Sequence, residues 1–306
     1  MLYFGTNDET TKWFEQQLNN RFNLEFLFQA HWYLATRITQ LANFDIELDQ
    51  SCYCLAIVKR YLDTAGTKKV LMAHTTPLPS DFIPSMADCS HDEATAKQLA
   101  LEYNIDYASC IGSLTYLGMT RVDIVFAVNK LAKFTHRPGK AHFEAVLHLL
   151  RYLRDNIYLG IKFYSEISDS SIIHVLHSNN ISQEHPFFGF SDSSWNDDID
   201  TGRSTGCYLI IYMGGVVDHS SNLPDPVALS SAEAKYNEGC LAFMAANHLR
   251  MLLLELEGFN EQDLLPTTIY FDSRSAIAMG DSYRDTKHPR HILRHYHYVR
   301  ESITAK

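Results

Sequence analysis

The sequence predicts an α/β protein: a mixed sheet with flanking helices, preceded by a mainly helical α+β region. Two patterns carry that expectation. After about residue 186 the alternation and turn signals run strand, strand, strand, helix, strand, helix, an order that packs helices on a sheet. From Tyr107 to Leu153 the apolar spacing is helical throughout. At 306 residues and 46% apolar content, the chain can build two ordinary domains with real cores.

In the first half, Asn7–Phe22 reads as an amphipathic helix with Trp13, Phe14 and Leu18 on one face. Strands are expected over Trp32–Gln40 and Asp45–Leu48, then a helix near Ser51–Leu62. Lys68–Thr95 is rich in Pro, Ser, Thr and Asp and reads as a long exposed connection. Ile111, Leu114 and Leu117 form one buried stripe, and Ile124, Ala127, Val128 and Leu131 form another. A third helix opens near Ala141, carries Val146, Leu149, Leu150 and Leu153, and closes before Gly160. A strand follows from Ile161. The polar stretch Ser165–His185, with a short strand at Ile172–Leu176, divides domain 1–165 from domain 166–306.

In the second half, strands are expected at Phe187–Ser191, Thr205–Tyr212 and Val216–His219, the last two joined by a Gly214–Gly215 turn. Ser230 or Ser231 caps a long helix from Ala232 to about Leu256. Thr267–Phe271 is a buried strand, followed by a helix at Ser273–Met279 and a basic, histidine-rich helix over His291–Ile303.

Three acidic residues roughly forty positions apart fall where this scheme can gather them. Asp192 and Asp272 end strands, and Glu233 opens a helix. Singly, each has a structural role available, in a turn, at a helix dipole or as a cap. Neighbouring strands lie about 5 Å apart, so the three can also converge. Clustered carboxylates repel one another, and hard divalent cations are the usual remedy. A pair of magnesium ions about 4 Å apart suits phosphodiester hydrolysis.

The net charge of -10 excludes a protein that coats nucleic acid over its whole surface. Basic residues still concentrate locally: Lys130, Lys133, Arg137 and Lys140 in one stretch, Arg290 and Arg294 in another. These are the candidate phosphate contacts, with solvated helix faces as the plain alternative. No apolar run approaches the roughly 20 residues of a membrane span, so no membrane partner is expected. The six cysteines form no zinc spacing, and Met1–Asn20 is no signal peptide, which points to reduced thiols in an intracellular protein.

The motifs also carry a resemblance. Phe190-Ser191-Asp192 with Trp195, Ser204-Thr205-Gly206-Cys207-Tyr208, Val227–Tyr236 and Phe271–Ile277 are similar to the ribonuclease H domain of copia-type retrotransposon polyproteins. Residues 111–129 and 141–154 resemble the segment that joins reverse transcriptase to that domain. The resemblance implies a ribonuclease H-like fold after a reverse-transcriptase thumb and connection region. It implies magnesium- or manganese-dependent cleavage of the RNA strand of an RNA/DNA hybrid, in the cytoplasm or nucleus, beside the remainder of the polymerase or another Pol chain. Asp192, Glu233 and Asp272 would be the metal ligands and catalytic acids.

The departures are as specific as the matches. No Tyr-x-Asp-Asp polymerase turn occurs, so no polymerase activity is expected. Leu293 stands where relatives carry a fourth acid, with His291 and His295 nearby as substitute ligand or proton shuttle, or as part of a basic surface. Lys235 replaces an acid beside Glu233. The alternative to the nuclease is therefore an inactive retroelement remnant that only binds nucleic acid.

Overall fold

In a computed structural model, the described residues are 8–22, 30–63, 74–80, 82–166, 186–224, 227–256, 266–281, 298–299 and 301. They form a mixed α/β structure with two four-stranded sheets.

The first sheet contains β1 (Trp32–Tyr33), β2 (Thr36–Gln40), β3 (Ile46–Asp49) and β4 (Ile161–Phe163), all antiparallel. The single strand expected over Trp32–Gln40 is instead a hairpin. Leu34 and Ala35 take positive φ angles of 48° and 58° and fold β1 back on β2. Helix α1 (Asp8–Asn19) forms as expected, but none of its residues is buried, and Trp13 is exposed.

The helical core of this half comes from α2 (Ser51–Val58), α3 (Glu93–Tyr103), α4 (Tyr107–Leu117), α5 (Val125–Ala132) and α6 (Lys140–Asp155). In α6, Phe143, Val146, Leu147, Leu150 and Leu153 repeat at three- and four-residue steps and are buried, while Lys140 and Glu144 face solvent. Leu114 and Leu117 of α4 and Val128 and Leu131 of α5 close the same core. The connection expected over Lys68–Thr95 is not structureless where it is described. It holds a 3-10 turn at Met86–Asp88 and the start of α3, which Asp92 caps through the Thr95 N–H at 2.7 Å.

The second sheet has the order β7-β6-β5-β8, from β5 (Phe187–Ser194), β6 (Thr205–Tyr212), β7 (Gly215–Asn222) and β8 (Thr268–Phe271). β5, β6 and β7 pair antiparallel, and β8 joins β5 in parallel. The long helix α7 (Ser231–Glu255) lies across one face of β5, β6 and β8, and α8 (Arg274–Asp281) follows β8. Two glycines permit the close approach of α7. A Cβ on Gly206 would fall 1.9 Å from Glu238, and one on Gly239 would fall 2.1 Å from the Phe271 ring. The short strand expected at Ile172–Leu176 and nearly all of the histidine-rich helix over 291–303 lie outside the described residues.

Hydrogen bonds join the two halves of the chain. The Tyr164 N–H donates to the Met213 carbonyl at 2.9 Å, the His219 ring meets the Gly118 carbonyl at 3.0 Å, and the Asn129 amide donates to the Ser221 carbonyl.

Candidate functional site

Asp192 belongs to β5, in register with Cys207 of β6. Asp272 follows the last residue of β8, and the parallel pairing of Ser191 with Phe271 carries both aspartates to the same end of neighbouring strands. Their side chains remain 58% and 63% exposed. A groove of about 360 Å³ opens beside them, lined by Phe190, Cys207, Tyr208 and Tyr270.

The third group at this point is a lysine. Lys235 of α7 places Nζ 2.7 Å from Asp192 Oδ1 and 2.5 Å from Asp272 Oδ1, with its own side chain only 14% exposed. Burial acts to lower its pKa, but the two aspartate hydrogen bonds outweigh burial and raise it above the ordinary lysine value. The ammonium is a fixed positive charge bridging two carboxylates.

Glu233, expected as the third carboxylate, is used elsewhere. Ser230 caps α7 by accepting the Glu233 N–H at 3.2 Å, and the Glu233 carboxylate reaches back to the Leu229 N–H at 2.9 Å. Two residues turn an α-helix by about 200°, so Glu233 and Lys235 leave α7 on nearly opposite sides. With Lys235 turned to the aspartates, Glu233 is committed to the helix start. Among the described residues, no group of three or more His, Cys, Asp or Glu side chains could hold a metal. Of the expected trio, Asp192 and Asp272 therefore meet at Lys235, while the Glu233 carboxylate is engaged at the start of α7.

Among the described residues, the groups that meet at this point are two carboxylates and one ammonium. Two carboxylates already share one tethered cation, and a dication would have to enter against its charge. Leu293, His291 and His295 lie outside the described residues, as do Arg290 and Arg294.

Of the expected phosphate contacts, Lys130 and Lys133 have carboxylate partners within the chain. Lys130 pairs with Asp197, and Lys133 donates to Asp198 Oδ1 at 2.7 Å with Asp200 at 3.8 Å. These three aspartates sit in the β5–β6 loop, so the two lysines join the halves of the chain. The Arg137 guanidinium donates to the His91 carbonyl at 3.4 Å. Lys140 is 70% exposed, with Glu144 at 3.9 Å as a loose partner.

Sequence reading missed two buried charges. Arg121 is fully buried, makes two bonds to Asp123 at 2.9 and 2.8 Å, and donates to the Asn156 carbonyl at 2.7 Å. Glu238 lies under β6 with neither carboxylate oxygen hydrogen-bonded, and burial pushes its pKa up to about 7. The one signal for Glu238 was positional: it follows Lys235 by three residues and so shares its side of α7.

Comparison with known proteins fits this architecture into a lineage. The chain is 28% identical over 305 residues to the "Retrovirus-related Pol polyprotein from transposon TNT 1-94" of Nicotiana tabacum, covering 99% of this chain and 21% of that protein. It is 28% identical over 289 residues to the corresponding polyprotein from transposon RE1 of Arabidopsis thaliana, covering 94% of this chain and 17% of that protein. A stretch of 134 residues, 44% of the chain, is 32% identical to 83% of "Secreted RxLR effector protein 161" of Plasmopara viticola. No family model and no solved structure matches the chain. The relatives over nearly the whole chain define a retroelement protein. More narrowly, the chain belongs with the Pol polyproteins of copia-type retrotransposons. It spans about a fifth of the length of these curated relatives. Among the described residues, no helix is long and apolar enough to cross a membrane.

Proposed function

We propose that this chain is a non-hydrolysing, ribonuclease H-like segment of a copia-type Pol polyprotein that binds RNA/DNA hybrid. One observation carries the reading: the Lys235 ammonium bridges Asp192 and Asp272, while Glu233 is tied to the start of α7. A metal-dependent nuclease needs carboxylates free for cations at that point. The strand order β7-β6-β5-β8, with α7 leading toward the parallel strand, supports the ribonuclease H-like assignment of residues 166–306. Residues 1–165 are assigned to the thumb and connection region, without polymerase chemistry.

Lys235 also favours binding without metal. An unneutralised aspartate pair repels a phosphate backbone, and the ammonium cancels part of that charge in place. Arg137 and Lys140, with Arg290 and Arg294, are the assigned phosphate contacts. Lys130 and Lys133 are not, since their charges are spent on the β5–β6 loop. The remainder of the polymerase or another Pol chain is the assigned protein partner.

The test is the full chain with an RNA-labelled RNA/DNA hybrid and magnesium. We expect a retained complex and intact RNA, with Lys140→Ala weakening retention. RNA cleavage that Asp192→Asn abolishes would overturn the reading in favour of a magnesium-dependent ribonuclease H.

A further inference from the structure

We infer that Lys235 holds the position of a cation between Asp192 and Asp272, so that Lys235→Glu alone converts this point into a divalent-cation site. The inference rests on reading the site as non-hydrolysing, but it concerns binding and can fail separately.

The geometry is direct. Nζ lies 2.7 and 2.5 Å from one oxygen of each aspartate, a bridging position between two carboxylates on adjacent strands. Along the side chain, a glutamate oxygen falls where Lys235 has Cε, one atom short of Nζ. A cation near the Nζ position, set back from that oxygen to a ligand distance, would then meet three carboxylates, from β5, the end of β8 and α7. Hard cations of this kind take oxygen ligands at roughly 2.1 Å and keep several waters. The adjoining groove of about 360 Å³ and the exposure of both aspartates leave room for those waters.

Glu233 does not complete the site in the native chain. Its carboxylate accepts the Leu229 N–H, and it leaves α7 on the far side from Lys235. Glu238 is close in sequence but lies buried under Gly206, away from solvent. Position 235 is thus the place where one substitution changes the sign of the charge facing the pair.

The experiment is a manganese titration of the full chain by calorimetry, with circular dichroism to verify folding. Six proteins are compared: wild type, Asp192→Asn, Asp272→Asn, Lys235→Glu, Lys235→Glu with Asp192→Asn, and Lys235→Gln. We expect wild type to show no manganese site that depends on Asp192. Lys235→Glu should bind at least tenfold more tightly than wild type and lose that gain when Asp192→Asn is added. Manganese binding by wild type that Asp192→Asn or Asp272→Asn removes would overturn the inference. So would a folded Lys235→Glu protein that binds no better than wild type. If Lys235→Glu does not fold, Lys235→Gln decides: removing the ammonium should tighten manganese binding over wild type, and equal affinity would overturn the inference. Hybrid cleavage by wild type would sink the non-hydrolysing reading, whereas the titration addresses only the place held by Lys235.

Discussion

Lys133 Nζ donates to Asp198 Oδ1 at 2.7 Å, joining α5 to the β5–β6 loop. The Asp198 side chain is 1% exposed, and Thr201 adds a second bond at 2.9 Å. An ion pair this enclosed costs more to break than it contributes intact, because the surviving partner is left without a counter-charge.

Asp198→Asn should therefore destabilise the protein by about 3 kcal/mol in urea unfolding. Burial alone would raise the Asp198 pKa, but the bonds from Lys133 and Thr201 hold it below the ordinary value of 3.8. A lowered carboxylate adds stability above the unfolded value, and that stability is lost as pH falls through the folded value. Below about pH 4, amide exchange in the β5–β6 loop should rise before exchange in α6. Simultaneous opening of the two would contradict this role.

Glu238 has the opposite sign. Its pKa is raised by burial from 4.5 to about 7, so its contribution is fully present below 4.5 and is lost as pH rises through 7. The loss amounts to about 3 kcal/mol. Glu238→Gln should flatten the fall in melting temperature across this window and make the protein more stable than wild type at pH 8. An unchanged pH profile would show that Glu238 is not the group responsible.

How much of this was legible in the sequence differs by level. The apolar stripe of α6 and the alternating strands β5, β6 and β7 were legible because burial of one face imposes a period that the residues must obey. The turn at Leu34 and Ala35 was hidden, since neither residue advertises positive φ. The pairing of β3 with β4 joins residues more than a hundred positions apart and leaves no local trace. At the site, the two strand-end aspartates were visible because apolar runs aim them. That Lys235 and not Glu233 faces the aspartates was hidden, because the two are neighbours in sequence but nearly opposite on a helix. The ion pairs of Lys130 and Lys133 were hidden for a similar reason, since their partners lie more than sixty residues away.

Arg121 gives a prediction about shape rather than charge. Its planar group makes two parallel bonds to Asp123 and a third to the Asn156 carbonyl. A lysine keeps the charge but cannot reproduce that fork. Arg121→Lys should cost about 3 kcal/mol in chemical denaturation, and a loss below about 1 kcal/mol would contradict the assigned geometry.

Lys235 should matter little for global stability. Both aspartates are more than half exposed, and pairs of that kind contribute at most about 1 kcal/mol. Lys235→Met should accordingly melt close to wild type. A large drop would mark Lys235 as a structural post rather than the resident charge of the site.

The most direct measurement is the ¹⁵N resonance of the Lys235 ammonium in the full chain, followed as magnesium is added. The account predicts a protected ammonium signal that magnesium leaves in place and that Asp192→Asn with Asp272→Asn removes. Loss of that signal on adding magnesium to wild type would show a metal displacing Lys235, and would contradict the claim that the lysine is the cation this site keeps.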